Sequence, residues 1–289
     1  MKRLKGNLCL LAAAMIWGCA FVAQSAAADQ IGPLTFNGIR FLIAAVTVSA
    51  CMPMLRRLTK QEKTEKENPE RLWKAGILAG AVLCIASVFQ QAGIAWTTAG
   101  KAGFITSLYV VLVPVAGLLI HRVPKPHVFA AVVLALFGLY LLSNPENGSI
   151  GKGDFLEILA ALCFTVHILI IDHYAGRVDA LKFSAVQFLT AGVLAFIGAF
   201  FLEHISLSSL VNAAIPILYA GVFSAGLGYT LQIMGQQTAD PSQASMILSL
   251  ESVFAALFGY LILHEVLSIK ELAGCVLMFA AVLLSQRQG

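Results

Sequence analysis

A chain of 289 residues that is 59% hydrophobic and 12% charged, with a mean hydropathy of +0.84, is wrongly composed for a water-soluble globule and reads as an integral membrane protein. The formal net charge of +4 is small, and the Lys and Arg residues gather between apolar segments, so the charge marks topology and not a nucleic-acid partner. Six cysteines, Cys9, Cys19, Cys51, Cys84, Cys163 and Cys275, stand singly in apolar runs without C-x-x-C spacing or histidines at ligand spacing, a pattern that predicts neither a disulfide framework nor a metal centre.

The chain opens with Lys2, Arg3 and Lys5 before an apolar run that ends near Ala26, Ala27 and Ala28, a pattern shared with secretory leaders. The same run has a counterpart in the second half of the chain, so it is read as a first membrane segment. Apolar runs of about 17 to 25 residues suit a hydrocarbon core about 30 Å thick. Ten such candidates follow one another, at 8–27, 34–55, 72–96, 102–120, 128–142, 155–171, 183–202, 210–234, 244–263 and 267–284. Pro33, Pro124, Pro126, Pro145 and Pro241 fall at their edges, where a missing backbone donor costs least. The one long polar connector is 56–70, RRLTKQEKTEKENPE, a solvated like-charge run.

Orientation follows from the excess of Lys and Arg in cytoplasmic loops. With ten crossings and the N-terminus inside, the inner set is Lys2, Arg3, Lys5, Arg56, Arg57, Lys60, Lys63, Lys66, Arg71, Lys74, Arg122, Lys125, Arg177, Lys182 and Arg287. Only Lys101, Lys152 and Lys270 fall outside, which predicts both termini in the cytoplasm.

A displacement of about 142 positions lays the stretch from Gln90, QQAGIAWTTAGKAGFITSLYVVLVPVAGLLIH, on that from Gln232, QIMGQQTADPSQASMILSLESVFAALFGYLIL. Gly93 meets Gly235, Ile105 meets Ile247, Ser107-Leu108 meets Ser249-Leu250, and Tyr109 meets Glu251. With a slightly larger shift, residues 39–42 fall on 186–189. The predicted organisation is one five-segment repeat over 1–143, a linker over 144–153 and a second repeat over 154–289. Because five is odd, the second copy starts on the opposite side of the membrane, and the fold expected is an all-α integral membrane protein of ten helices in a 5+5 inverted repeat, the plan of many secondary transporters.

These residues resemble the drug/metabolite transporter superfamily, in the form built from two tandem EamA domains. The likeness rests on Met15-Ile16-Trp17-Gly18 with Phe21, on Arg40-Phe41, on Thr97-Thr98-Ala99-Gly100, and on residues 250–257, LESVFAAL, followed by Glu265. It extends over essentially the whole chain. The resemblance implies a ten-helix inner-membrane carrier, often an exporter of amino acids or other small metabolites, with a central cavity lined from both repeats. Ser252 departs from the family pattern, which commonly has proline after the glutamate, so the resemblance does not carry a proline-induced helix break over to this position.

Glu251 heads the candidate site residues, because a charged group at mid-membrane costs roughly 2.5 to 3.5 kcal/mol on insertion scales and persists only with a polar cavity, a partner or a proton to take up. It would bind a cationic or amino group, carry a proton coupled to the conformational change, or hold helices together. Its repeat mate Tyr109 makes the pair chemically asymmetric. Arg40 lies about 10 Å into the second segment at about 1.5 Å per residue, where it would hold a substrate carboxylate, pair with Glu251, or snorkel to the interface. His167, near the middle of the sixth segment, is either a proton relay or a packing histidine. Gln90, Gln91, Gln187, Gln232 and Tyr229 offer neutral hydrogen-bonding groups for cargo or for interhelical contacts. Trp17 is deep enough to stack on cargo, whereas Trp96 suits the interfacial belt. Glu157 and Asp172 are read as solvated or loop-facing, and Gly76 with Gly80 as a close helix contact.

Enzyme signatures are missing: His264-Glu265 lacks a second histidine at metalloprotease spacing, residues 148–153 (GSIGKG) lack the P-loop pattern, and no G-x-S-x-G occurs. The function expected is secondary transport of a small polar or amphipathic metabolite, an amino acid or related compound, across the plasma membrane (the inner membrane of a bacterium) by alternating access. Export is implied by the resemblance; the lone mid-membrane carboxylate makes Glu251 the expected proton-coupling or amine-binding residue. An uncoupled facilitator and a lipid-type flippase stay open beside it. The site set is Glu251, Arg40, Tyr109, Gln90, Gln232, Trp17 and His167, with no cofactor and no metal. The partners are a small-molecule substrate and the lipid bilayer, and the chain is a monomer or homodimer.

Overall fold

A computed structural model describes residues 2–59, 68–97, 99–119, 125–143, 151–263 and 268–285, and the described residues contain no strand. In hydrocarbon every backbone polar group must be paired within the protein, and a helix does this locally. The first half contributes α1 (Lys2–Ala28), α2 (Pro33–Thr59), α3 (Pro69–Ile94), α4 (Ala99–Thr106), α5 (Tyr109–Leu119) and α6 (Pro126–Ser143). The second half contributes α7 (Lys152–Tyr174), α8 (Ala180–Leu202), the short α9 (Leu207–Asn212), α10 (Ala214–Leu218), a π-helical segment Tyr219–Tyr229, α11 (Thr230–Gln236), α12 (Pro241–Leu248), α13 (Glu251–Leu263) and α14 (Ile269–Ser285). The expected linker over 144–153 and polar connector over 56–70 lie largely outside the described residues, as do Thr98, His264 and Glu265.

Eight of the described spans are long and apolar enough to cross a membrane, with Pro126–Leu141 a shorter apolar helix. The 17 residues of α14 occupy the place of the tenth expected segment and pack along α6. Prolines open α2, α3, α6 and α12, where the first-turn N–H needs no partner. Asn68, Asp179 and Asp240 cap α3, α8 and α12 through their side chains. Gly176, at φ 76°, makes the tight turn from α7 to α8 that a residue with a Cβ rarely adopts.

Packing repeats the sequence symmetry. α3 lies on α7 as the π segment and α11 lie on α1, α3 on α8 as the π segment lies on α2, and α4 and α5 on α7 as α12 and α13 lie on α1. The mates α2 and α8 pack on each other, and so do α6 and α14. Gly76 and Gly80 of α3 sit against Val186, Gln187 and Thr190 of α8, the close contact expected of that glycine pair. Large apolar side chains such as Val46, Phe137, Phe200, Phe201 and Leu283 point outward, the arrangement suited to a lipid surround.

Three of the apolar segments are not continuous α-helices. The fourth segment breaks at Ser107–Leu108 between α4 and α5, and the ninth at Ser249–Leu250 between α12 and α13, positions that are repeat mates. The eighth is wound as a π-helix over the 11 residues Tyr219–Tyr229, a rare form that is frequent at functional sites.

Candidate functional site

The break at Ser249–Leu250 makes Glu251 the first residue of α13, so its carboxylate stands at the positive end of a helix inside the bundle. The freed carbonyl of Ser249 accepts the Ser252 hydroxyl at 2.7 Å and the Ser107 hydroxyl at 3.5 Å. The helix is therefore broken without a proline at 252: the Ser252 N–H, at 3.2 Å, and the two hydroxyls together satisfy the Ser249 carbonyl.

Across the pseudo-twofold axis, Tyr109 donates its hydroxyl to Glu251 Oε1 at 2.8 Å. The two repeat mates thus touch one another, and Ser107 with Ser249 does the same two residues earlier in each repeat.

Beside this pair opens a cleft of about 440 Å³, the space at its mouth included. Six of the seven predicted site residues line it: Trp17, Arg40, Gln90, Tyr109, Gln232 and Glu251. Both halves contribute, α1 through α5 on one side and α7, the π segment, α11, α12 and α13 on the other. His167 is not among the lining residues. It is buried behind the wall, with Nε2 3.1 Å from Gln187 Oε1 and its ring edge-on to Tyr229 at 5.7 Å.

Arg40 does not snorkel. Only 1% exposed, it donates from one terminal nitrogen to Gln24 Oε1 at 3.0 Å, while Nε has no partner. Its guanidinium lies 4.7 Å from the ring centroid of Phe41 and 5.5 Å from that of Phe36, contacts that offset part of the cost of burial. The ion pairs among the described residues are Arg56–Asp179 and Lys101–Asp154, so the sequence expectation of an Arg40–Glu251 pair is not met. Aromatic walls complete the cleft. Trp17 packs on Tyr229 at 4.7 Å and donates its ring N–H to Ser224 O of the π segment at 3.0 Å, a carbonyl set off the ordinary ladder by π winding. Gly228 lies directly under the Trp17 ring.

Sequence reasoning passed over Gln24, Thr106, Phe164 and Ser224, which also line the cleft. It misread Glu157. That residue is fully buried, takes a 2.8 Å hydrogen bond from Thr106 Oγ1 on one oxygen, and has no partner on the other. The available signal was the one used for Glu251, an acid within an apolar run. Its closeness to the segment's predicted end concealed it. Asp172 is half-buried, and Trp96 is largely exposed beneath the Lys152 ammonium, as an interfacial tryptophan should be.

Two regions of the chain, 4–144 and 151–286, match the EamA-like transporter family. The chain is 31% identical to an uncharacterised transporter of Archaeoglobus fulgidus over 98% of its own length and 86% of that protein. It is 24% identical to the uncharacterised transporter YoaV of Bacillus subtilis over 97% and 96%, and 23% identical to the protein PagO of Salmonella typhimurium over 91% and 88%. A crystal structure with 16% sequence identity superposes with a TM-score of 0.77 over 97% of this chain and 96% of that one, a likeness of fold. With its two matched regions, its apolar spans and its transporter relatives, the chain is a multi-pass membrane protein that belongs to the EamA-like transporter family.

Proposed function

We propose that this transporter carries a small polar or amphipathic metabolite, an amino acid or a related compound, across the plasma membrane by alternating access, exporting it in exchange for protons, and that it performs no chemistry on its cargo. The observation that carries this reading is a pair of opposite charges kept apart in one cleft. Arg40 is buried with no carboxylate partner among the described residues, and Glu251 is held by a tyrosine and not by a cation. A buried charge without a counter-ion is costly, and a zwitterion would discharge both, its carboxylate on Arg40 and its ammonium on Glu251. Trp17, Phe21, Phe164 and Tyr229 would enclose its apolar part. A proton on Glu251 competes with the ammonium for the same carboxylate, which couples cargo release to proton binding. Lining residues from both repeats allow the halves to rock about the cleft and expose it to either side.

The test is transport in proteoliposomes with a substrate found by thermal-shift screening of amino acids and their relatives. Glu251→Gln is expected to abolish accumulation driven by a pH gradient while the protein stays monodisperse in detergent. Wild-type rates and pH dependence in that variant would refute the reading.

A further inference from the structure

Glu157 lies outside the cleft and has no part in the exchange just described, yet it is hydrogen-bonded toward the cleft on one side and stands one helical turn from an ion pair on the other. Gln90 lines the cleft and donates from Nε2 to Thr106 Oγ1 at 3.3 Å, and Thr106 donates to Glu157 Oε2 at 2.8 Å. Three residues earlier on α7, about 4.5 Å along the axis, Asp154 accepts from Lys101 Nζ at 2.7 Å and from Gly151 N at 2.9 Å. Lys101 is one-third exposed, so this ion pair reaches the surface of the bundle. It is the face that the Lys and Arg distribution assigns to the outside. Glu157 Oε1 points at α3, where Gly93 leaves the space; a Cβ there would stand 2.8 Å from that oxygen.

We propose that Glu157 is a second proton-binding site, a relay station between the outer face and the cleft. A fully buried carboxylate with one oxygen unpaired is costly in this setting, and a proton removes that cost. The hydroxyl of Thr106 is both donor and acceptor, so it can reverse its hydrogen bond when Glu157 gains or loses the proton. The proton enters from water at the Asp154 end and crosses one helical turn to Glu157 by way of water; on leaving, Glu157 gives it to Thr106 Oγ1 while that hydroxyl, which lines the cleft, gives its own proton to water there, with no other bond made or broken. The charged groups that act on Glu157 are Asp154 on its own helix and Glu251 on α13; Lys101 of α4 is paired with Asp154 and Tyr109 of α5 with Glu251. α3 sets Gly93 against Glu157 and Gln90 against Thr106, and α11 and α12 carry no ionisable side chain.

The proposal extends the proton-coupled reading of the cleft and rests on it for its physiological sense, but its test does not use transport. Infrared titration of the lipid-reconstituted protein in light and heavy water reads protonated carboxyl groups directly. One pH-dependent, deuterium-sensitive carboxyl band should disappear in Glu157→Gln and persist in Glu251→Gln. Thr106→Val, which keeps the acid and removes its hydroxyl partner, should shift the same band, and it serves if Glu157→Gln does not fold. An unchanged set of bands in Glu157→Gln, or in Thr106→Val, overturns the relay. A persistent Glu157 band together with normal gradient-driven transport in Glu251→Gln would leave the second proton site standing and remove the coupling assigned to Glu251.

Discussion

Tyr109 does for Glu251 what a counter-ion does in a soluble protein, at lower cost in desolvation. A tyrosine hydroxyl brings a donor without a second buried charge, and a hydrogen bond to a charged group contributes about 1.5 to 3 kcal/mol. Its 2.8 Å bond also fixes the direction in which the carboxylate faces the cleft. Tyr109→Phe is therefore expected to keep the fold and to slow gradient-driven transport about tenfold, the equivalent of about 1.4 kcal/mol. Initial uptake rates in proteoliposomes, set beside the melting temperature of the same preparation, check this; unchanged rates would mean that Glu251 is oriented by something else. The same reasoning explains why Arg40 stays put. Two aromatic rings and Gln24 hold its guanidinium, and no carboxylate among the described residues pairs with it.

Among the elements, the broken helices and the π segment do what a straight helix cannot. A continuous helix through 241–263 would pair its backbone internally and bury Glu251 mid-span, whereas the break gives the acid a helix N-terminus and serine hydroxyls to meet the released carbonyl. The backbone turns match across the repeat: Ser107 N to Gly103 O and Leu108 N to Ile105 O on one side, Ser249 N to Ser245 O and Leu250 N to Ile247 O on the other. α1 holds this arrangement in place. A Cβ on Gly18 would lie 2.8 Å from the backbone of Ala255, so α1 rests directly on α13, and the neighbouring Trp17 reaches the π segment. Gly18→Ala forces the two helices apart and is expected to destabilise by about 1 to 3 kcal/mol. Thermal melts in detergent, together with quenching of Trp17 fluorescence by iodide, measure both consequences; a variant as stable as the parent would show that the interface gives way freely.

In the whole molecule, α2 and α8 form a pair tied at both ends. Glu203, at the end of α8, accepts from Leu34 N, Thr35 N and Thr35 Oγ1, capping the start of α2, and Arg56 near the end of α2 pairs with Asp179 at the start of α8 at 2.6 Å. Because the two helices belong to different repeats, the clamps join the halves at their rim while the cleft lies between them. Glu203→Ala leaves three donors without their acceptor and should cost about 1 to 2 kcal/mol, a drop of several degrees in melting temperature. An unchanged melt would show that water caps α2 equally well. Ten apolar segments, the five-plus-five symmetry and the pairing of Glu251 with Tyr109 as mates were legible before any coordinates, because each is a matter of hydropathy or register along the chain. The π winding and the hydroxyl-supported breaks were not, since they depend on which neighbour supplies a donor.

Sequence by itself determined the environment of this protein and its plan: spans of a length that only a bilayer demands, a repeat whose odd number of segments inverts the second half, and family motifs at Trp17-Gly18, Arg40-Phe41 and Glu251. Tertiary structure decided which polar residues converge. It brought Gln24 and Thr106 to the cleft, set His167 behind its wall, left Arg40 without a carboxylate partner among the described residues, and turned Glu157 from an expected solvated or loop-facing residue into a buried acid. The reason is physical. Along an apolar helix, hydropathy reports depth in the membrane, but whether a polar side chain faces lipid, a neighbouring helix or the central cleft depends on helix rotation, and rotation is fixed only when all the helices pack.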